Sequence, residues 1–160
     1  HHRSSAASDV YKRQGQLTSD PLTHRRLKHF AGLAQTSEDI VSRIALGLSI
    51  GREHMPTDGW APSPLSAEIE APEDASITKG KVLKCKTLLK TEEDALLVRA
   101  MLQHRECMFP DQRTWRNRIT EHWERGVQEL TRIAAGEDDW VCIMAAIMDH
   151  VPANGSIKVA

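Results

Sequence analysis

Residues 36–50, TSEDIVSRIALGLSI, read as one helix with both ends marked. The Thr36 hydroxyl is placed to accept a hydrogen bond from an orphan amide of the first turn. Asp39 follows three residues later, at capping-box spacing, with Asp where Glu or Gln is usual. Glu38 and Asp39 put negative charge at the positive end of the helix dipole. Ile40, Ile44 and Leu48 recur at intervals of four, flanked by Val41 and Ala45, and Gly51 ends the run as a C′ glycine does. A stripe this broad must be covered by other elements. With few aromatics and an apolar set of Leu, Ile, Val, Ala and Met, that cover reads as helical.

Toward the N-terminus, Ser19-Asp20-Pro21 is a helix start, with Asp20 as cap and Pro21 at the first helical position. The helix is expected to run to about Ala34, with Leu27, Phe30, Ala31 and Ala34 on its apolar side. The other side is assigned His24, Arg25, Arg26, Lys28 and His29, a dense basic cluster. It fits a solvated face and a phosphate-binding surface equally well. Gln35 leads straight into the next helix, which predicts a tight helical pair.

Toward the C-terminus, residues 51–76 hold Pro56, Pro62, Pro64, Pro72 and Gly59 with little periodicity, and predict a long surface loop pinned by Trp60. Its second half is acidic through Glu68, Glu70, Glu73 and Asp74, which reads as a solubilising run. Residues 77–89, ITKGKVLKCKTLL, alternate with period two and predict one short extended segment, with Cys85 packed rather than reactive. Lys79, Lys81, Lys84, Lys86 and Lys90 make a second basic cluster there. Such lysines protect a strand edge from pairing or contact a nucleic-acid backbone.

Three more helices complete the expected set of about five. Thr91 caps the first, 92–106, which should bury Ala95, Leu97, Val98, Met101 and Leu102. After Pro110-Asp111 comes 112–135, with Trp115, Ile119, Trp123, Val127, Leu130 and Ala134 along one stripe. Gly126 inside it costs about 1 kcal/mol relative to alanine, so a close helix–helix contact is expected there. Gly136 stops it. Residues 138–151, DDWVCIMAAIMDHV, form an almost wholly apolar last helix ended by Pro152, which either completes the core or joins subunits. The tail 153–160 reads as loose.

At 160 residues the chain suffices for one domain with a real core, and it has no apolar run of membrane-spanning length and no signal-peptide pattern. Cys85, Cys107 and Cys142 are odd in number and far apart, which reads as reduced thiols in a cytoplasmic protein. Net charge is −1, so bulk charge makes no case for nucleic acid and any such case rests on local clusters. Residues 1–14 look foreign: SSAASDVYKRQ, residues 4–14, resembles the in-frame translation of a transposase adapter from sequencing-library preparation. On that reading the segment is not native, is excluded from the fold and hides the true start. It holds Arg3, Lys12 and Arg13 against Asp9, a net of +2, which leaves −3 for the rest.

No catalytic arrangement stands out: there is no phosphate-cradling glycine loop, no nucleophile elbow and no HExxH. Asp94, Asp111 and Glu121 are carboxylates without a distinguishing context, and His122 beside Trp123 reads as a packed, hydrogen-bonded helix histidine. His104 and Cys107 stand three apart, but no second pair completes a zinc set. The expectation is a non-catalytic protein without metal or cofactor.

Three stretches in order resemble the DNA sulfur modification protein DndE family. RLKHFAGLAQTSEDIVSRIALGLSI, residues 26–50, resembles its opening, with Arg43, Ile44, Ala45, Leu48 and Ser49 at the matching places. GKVLKCKTLL, residues 80–89, is similar to its middle segment. HWERGVQEL, residues 122–130, looks like its closing helix, through His122, Arg125, Gly126, Val127 and Leu130. The link differs, with Gln35-Thr36 where the family usually has Thr-Gly, and the Pro-rich loop is longer. The resemblance covers the helical domain 15–135, while residues 136–160, the apolar helix and tail, have no counterpart.

The resemblance implies a small helical homo-oligomer, a tetramer. It would work as the DNA-binding accessory of a complex that replaces a non-bridging phosphate oxygen of DNA with sulfur, its partners doing the chemistry. Arg25, Arg26, Lys28 and Arg43 would contact the duplex backbone, with Lys81, Lys84 and Lys86 as a second surface. Two alternatives stand beside this. One is a ribbon-helix-helix regulator, which needs a strand before the first helix, about residues 16–19, pairing between subunits. The other is a pure interaction module docking through 138–151.

Overall fold

The computed structural model describes residues 15–52 and 54–150. The adapter-like residues 1–14, the Pro152 stop and the tail 153–160 lie outside the described residues. The fold is mainly α, with six helices and one two-stranded ribbon. In order these are β1 (Gln16–Thr18), α1 (Pro21–Leu33), α2 (Glu38–Ile50), β2 (Val82–Lys84), α3 (Cys85–Leu88), α4 (Glu92–Arg105), α5 (Gln112–Ile133) and α6 (Trp140–Asp149).

The long helix α5 is the axis. Asp111 caps it by accepting from the Thr114 amide at 2.7 Å. All six residues of the anticipated stripe are buried, with Trp123 fully so. The closest helix partner is α2. A Cβ at Gly126 would fall on the carbonyl oxygen of Ala45, so only glycine lets the two backbones meet there. The glycine's propensity cost is thus offset by contact along the whole α2–α5 seam.

That contact also sets the rotation of α2. The buried face is Val41, Ser42, Ala45, Leu46 and Ser49, not the Ile40–Ile44–Leu48 line; Ile40 is 44% exposed and Ile44 and Leu48 are half-buried. Small side chains face the glycine because large ones would hold the helices apart. The start moves too: Ser37, not Thr36, is the cap, accepting from the Ile40 amide at 3.3 Å. Gly51 ends the helix with φ −73°, in the right-handed region, so it is not the left-handed C′ glycine anticipated. The left-handed residue of this part of the chain is Gln35, φ 52°, in the link between α1 and α2.

Asp20 caps α1 as expected, accepting from Leu22 at 2.8 Å, with Pro21 opening the helix. The buried face is Thr23, Arg26, Leu27, Phe30 and Ala31. Arg26 therefore belongs to the core side, not to the basic side where periodicity placed it.

The extended segment 77–89 is mostly not a strand. Three residues of β2 pair antiparallel with β1 in the register Gln16↔Lys84, Leu17↔Leu83, Thr18↔Val82. Leu17 and Leu83 point into the core and their neighbours point out. The chain then turns into the single helical turn α3. The β1 strand pairs within its own chain, which is not the arrangement a ribbon-helix-helix protein requires.

Thr91 caps α4 as expected, but the helix buries only Leu102 fully; Leu97 is 70% exposed rather than core. α6 packs Ile143 and Ile147 inward and leaves Trp140, Val141 and Met148 exposed. Among the described residues no helix is long and apolar enough to cross a membrane.

Candidate nucleic-acid interface

The structure divides the seven cations singled out as phosphate contacts. Arg26 is wholly buried. Its Nε and one terminal nitrogen donate to the two oxygens of Glu70 at 2.8 and 2.7 Å, a bidentate pair. The remaining donors reach Gln128 Oε1 at 2.8 Å and the Ser63 carbonyl at 2.6 Å. The Arg26 guanidinium beside Glu70 holds that carboxyl down to about 2. Arg26 is thus a tether for the Pro-rich loop and not a DNA contact.

Arg25 pairs with Glu73 at 2.9 Å and Lys28 with Asp74 at 2.8 Å. The Lys28 ammonium, joined by the Ser76 hydroxyl and amide, lowers the Asp74 carboxyl to about 2. The first basic cluster is therefore matched charge for charge by the acidic half of the loop. That half was expected only to solubilise; it neutralises α1 instead. Lys81 sits 3.4 Å from Glu38, which also faces His24 at 3.6 Å.

Three cations remain. Lys84 ends β2 on its outer face and Lys86 lies in α3, both exposed. Arg43 comes across from α2, its Nε donating to the Thr87 carbonyl at 2.8 Å. That bond pins α3 to α2 and holds the guanidinium within one turn of the two lysines. Among the described residues, no carboxylate lies within ion-pair distance of Arg43, Lys84 or Lys86. Cys85 in the same turn is half-buried, and burial pushes its thiol up, consistent with a packing role.

Sequence reasoning missed a buried polar system along both flanks of α5. On one flank, Arg118, His122 and Arg125 recur at four- and three-residue intervals. His122 Nδ1 lies 2.9 Å from the Ser49 hydroxyl, and Nε2 lies 3.0 Å from Glu106. Arg125 donates to the Ser49 hydroxyl and carbonyl, both at 2.8 Å. Arg105 donates to the carbonyls of Ile50 at 2.7 Å and Arg52 at 2.8 Å. These arginines satisfy the orphan carbonyls at the C-terminus of α2 and complement its dipole. Burial pushes the His122 imidazole below its ordinary range, so the ring is neutral near pH 7.

The order hydroxyl–imidazole–carboxylate matches a nucleophile relay in outline. Yet Ser49 is 1% exposed, and its oxygen already accepts from Arg125. The array is a strut between α2 and α5.

On the other flank Glu124 Oε2 accepts from the Asp20 amide and the Thr23 hydroxyl, both at 2.8 Å, anchoring the start of α1. Burial raises its carboxyl above the ordinary range. The available signal was the spacing itself: polar side chains repeating every three or four residues on each border of an apolar stripe. Among the described residues, no group of three or more His, Cys, Asp or Glu is placed to hold a metal ion. No protein-family model, curated protein or solved structure matches the chain.

Proposed function

We propose that the chain is a non-catalytic DNA-binding accessory subunit of the DNA phosphorothioation complex, gripping the sugar–phosphate backbone. What supports the reading is the ordered resemblance of residues 26–50, 80–89 and 122–130 to the DndE family, together with one physical observation. In a chain of net charge −1, Arg43, Lys84 and Lys86 converge on one exposed turn with no printed acidic neighbour among the described residues. Contacts of this kind give affinity without sequence choice. The interface is drawn on these three side chains, and Arg25, Arg26, Lys28 and Lys81 leave it.

The test is duplex binding by fluorescence anisotropy across a salt series. Lys84→Ala with Lys86→Ala should weaken binding to all sequences alike and lower the log–log salt slope by about 2. Unchanged affinity and slope in that double variant would remove the reading. The resemblance further carries a homo-oligomer, tetrameric, with sulfur modification proteins as partners. Co-purification with a sulfurtransferase and its ATPase tests the second part.

A second reading, an interaction module without DNA binding, is favoured by the exposed apolar side chains Leu96, Leu97 and Met108 around α4 and Trp140, Val141 and Met148 on α6. It predicts that removing α6 abolishes partner capture while duplex binding is absent from the start.

A further inference from the structure

A groove of about 640 Å³ opens where the C-terminus of α2 meets the second half of α5, within the usual size of a small-molecule site. It is lined by Ser49, Arg52, Trp60, Arg125, Glu129 and Arg132, among others. It shares no residue with the surface formed by Arg43, Lys84 and Lys86, and its chemistry is different.

The charge here does not balance. Arg52 and Arg132 share one carboxylate, Glu129, at 3.0 and 3.5 Å. Behind them stand Arg105, Arg118 and Arg125, with Glu106 and Glu121 as their acids. Five guanidinium groups against three carboxylates leave a local excess of two positive charges. Arg105 and Arg125 are committed to carbonyls of residues 49–52. Arg52 and Arg132 are different: their side chains are 37% and 48% exposed, and a guanidinium carries five donors, of which the printed pairs use one each. Burial pushes Arg125 below its ordinary range, and Arg52, Arg105 and Arg118 push the same way.

Two half-exposed forks sharing a single carboxylate, with a repelling set of arginines behind them, suit a dianion. A phosphate monoester has the charge and takes bidentate arginine contacts. Trp60 on the wall offers a ring on which a planar group stacks.

We propose that this groove binds a mononucleotide-like phosphate monoester, Arg52 and Arg132 taking the phosphate in exchange for Glu129 and Trp60 taking the base. Glu129 is then a competing internal anion that occupies the arginines when the ligand is absent.

The probes are adenosine 5′-monophosphate, inorganic phosphate and adenosine, titrated into the full chain by calorimetry. The monophosphate should bind saturably, phosphate at least about tenfold more weakly, and adenosine more weakly still. Arg132→Ala and Arg52→Ala should each weaken the monophosphate about tenfold or more. Trp60→Leu should weaken the monophosphate and leave phosphate unchanged. Glu129→Gln is decisive, because removing the rival carboxylate should tighten the monophosphate severalfold, whereas a merely structural residue would not. If the arginine variants lose their helical circular dichroism, the Glu129→Gln result alone decides. No saturable binding at millimolar concentrations, or no gain in Glu129→Gln, overturns the proposal. If the groove variants weaken duplex binding alone, the groove belongs to the DNA surface and the small ligand falls. If they leave duplex binding intact while Lys84→Ala with Lys86→Ala abolishes it, the two sites are independent.

Discussion

Removing Arg26 should unfold much of what the loop contributes. Arg26→Met keeps the stem volume but deletes a fully buried guanidinium with four close acceptor contacts. Glu70 retains the Leu65 and Ala71 amides, and Gln128 retains the Ser63 amide, so the partners are not wholly orphaned. Breaking one side of a buried pair typically costs about 3–5 kcal/mol, a large part of the ~5–15 kcal/mol that holds a domain together. Urea unfolding followed by circular dichroism measures it. Glu70→Gln tests the same contact from the other side. The double variant should cost less than the sum of the singles by about 1–3 kcal/mol, as expected of residues in contact. The pH dependence follows from Glu70, whose carboxyl lies near 2 in the folded chain against an ordinary 4.5. The folded state holds fewer protons there, so the contribution is complete above about pH 4.5 and fades as pH falls toward 2. The gap between the native chain and Arg26→Met should therefore narrow across that window. A loss below about 1 kcal/mol, or a gap that widens in acid, would refute the assignment of Arg26 to the core.

Other outcomes follow from single positions. Gly126→Ala should cost more than about 3 kcal/mol, because its Cβ meets the Ala45 backbone, while Gly47→Ala, with nothing within 4 Å, should gain roughly 0.5–1 kcal/mol; a pair of thermal melts compares them. Gln35→Gly should stabilise by about 1 kcal/mol by relieving a left-handed backbone, read from the urea midpoint. His122 titrates below its ordinary 6.5 when folded, so the unfolded chain takes up the proton first. Stability should fall as pH drops below about 6.5, and His122→Gln should flatten that fall; an equal slope in both proteins would show that the ring is not the titrating group.

Elements whose signals are local were legible in the sequence. Asp20-Pro21, Thr91 and Asp111 mark helix starts through contacts within three residues, and the structure uses all three. Gly126 announced a close approach because glycine in a helix interior has a cost that something must offset. What failed depends on partners far along the chain. Arg26 and Glu70 are 44 residues apart, and no periodicity tells a cation on a helix which carboxylate a later loop will bring. The rotation of α2 was missed for the same reason: its face is chosen by Gly126 and His122 across the seam, not by its largest side chains. In α4 the pattern of apolar residues was read as core, yet Leu96 and Leu97 face outward. Amphipathicity shows that a face wants cover, not that the same chain supplies it. The groove of Arg52, Arg125 and Arg132 was invisible because its members come from a helix end and a second helix.

The seam between α2 and α5 also governs when folding can finish. Ser49 and His122, which clasp it, are 73 residues apart. At translation speeds of roughly 5–20 residues per second, the first two helices leave the ribosome about 4–15 s before their mate exists. During that interval Val41, Ala45 and Leu46 have nothing to lie against, and the nascent N-terminal half must wait, shielded or sticky, for the C-terminal half to be made.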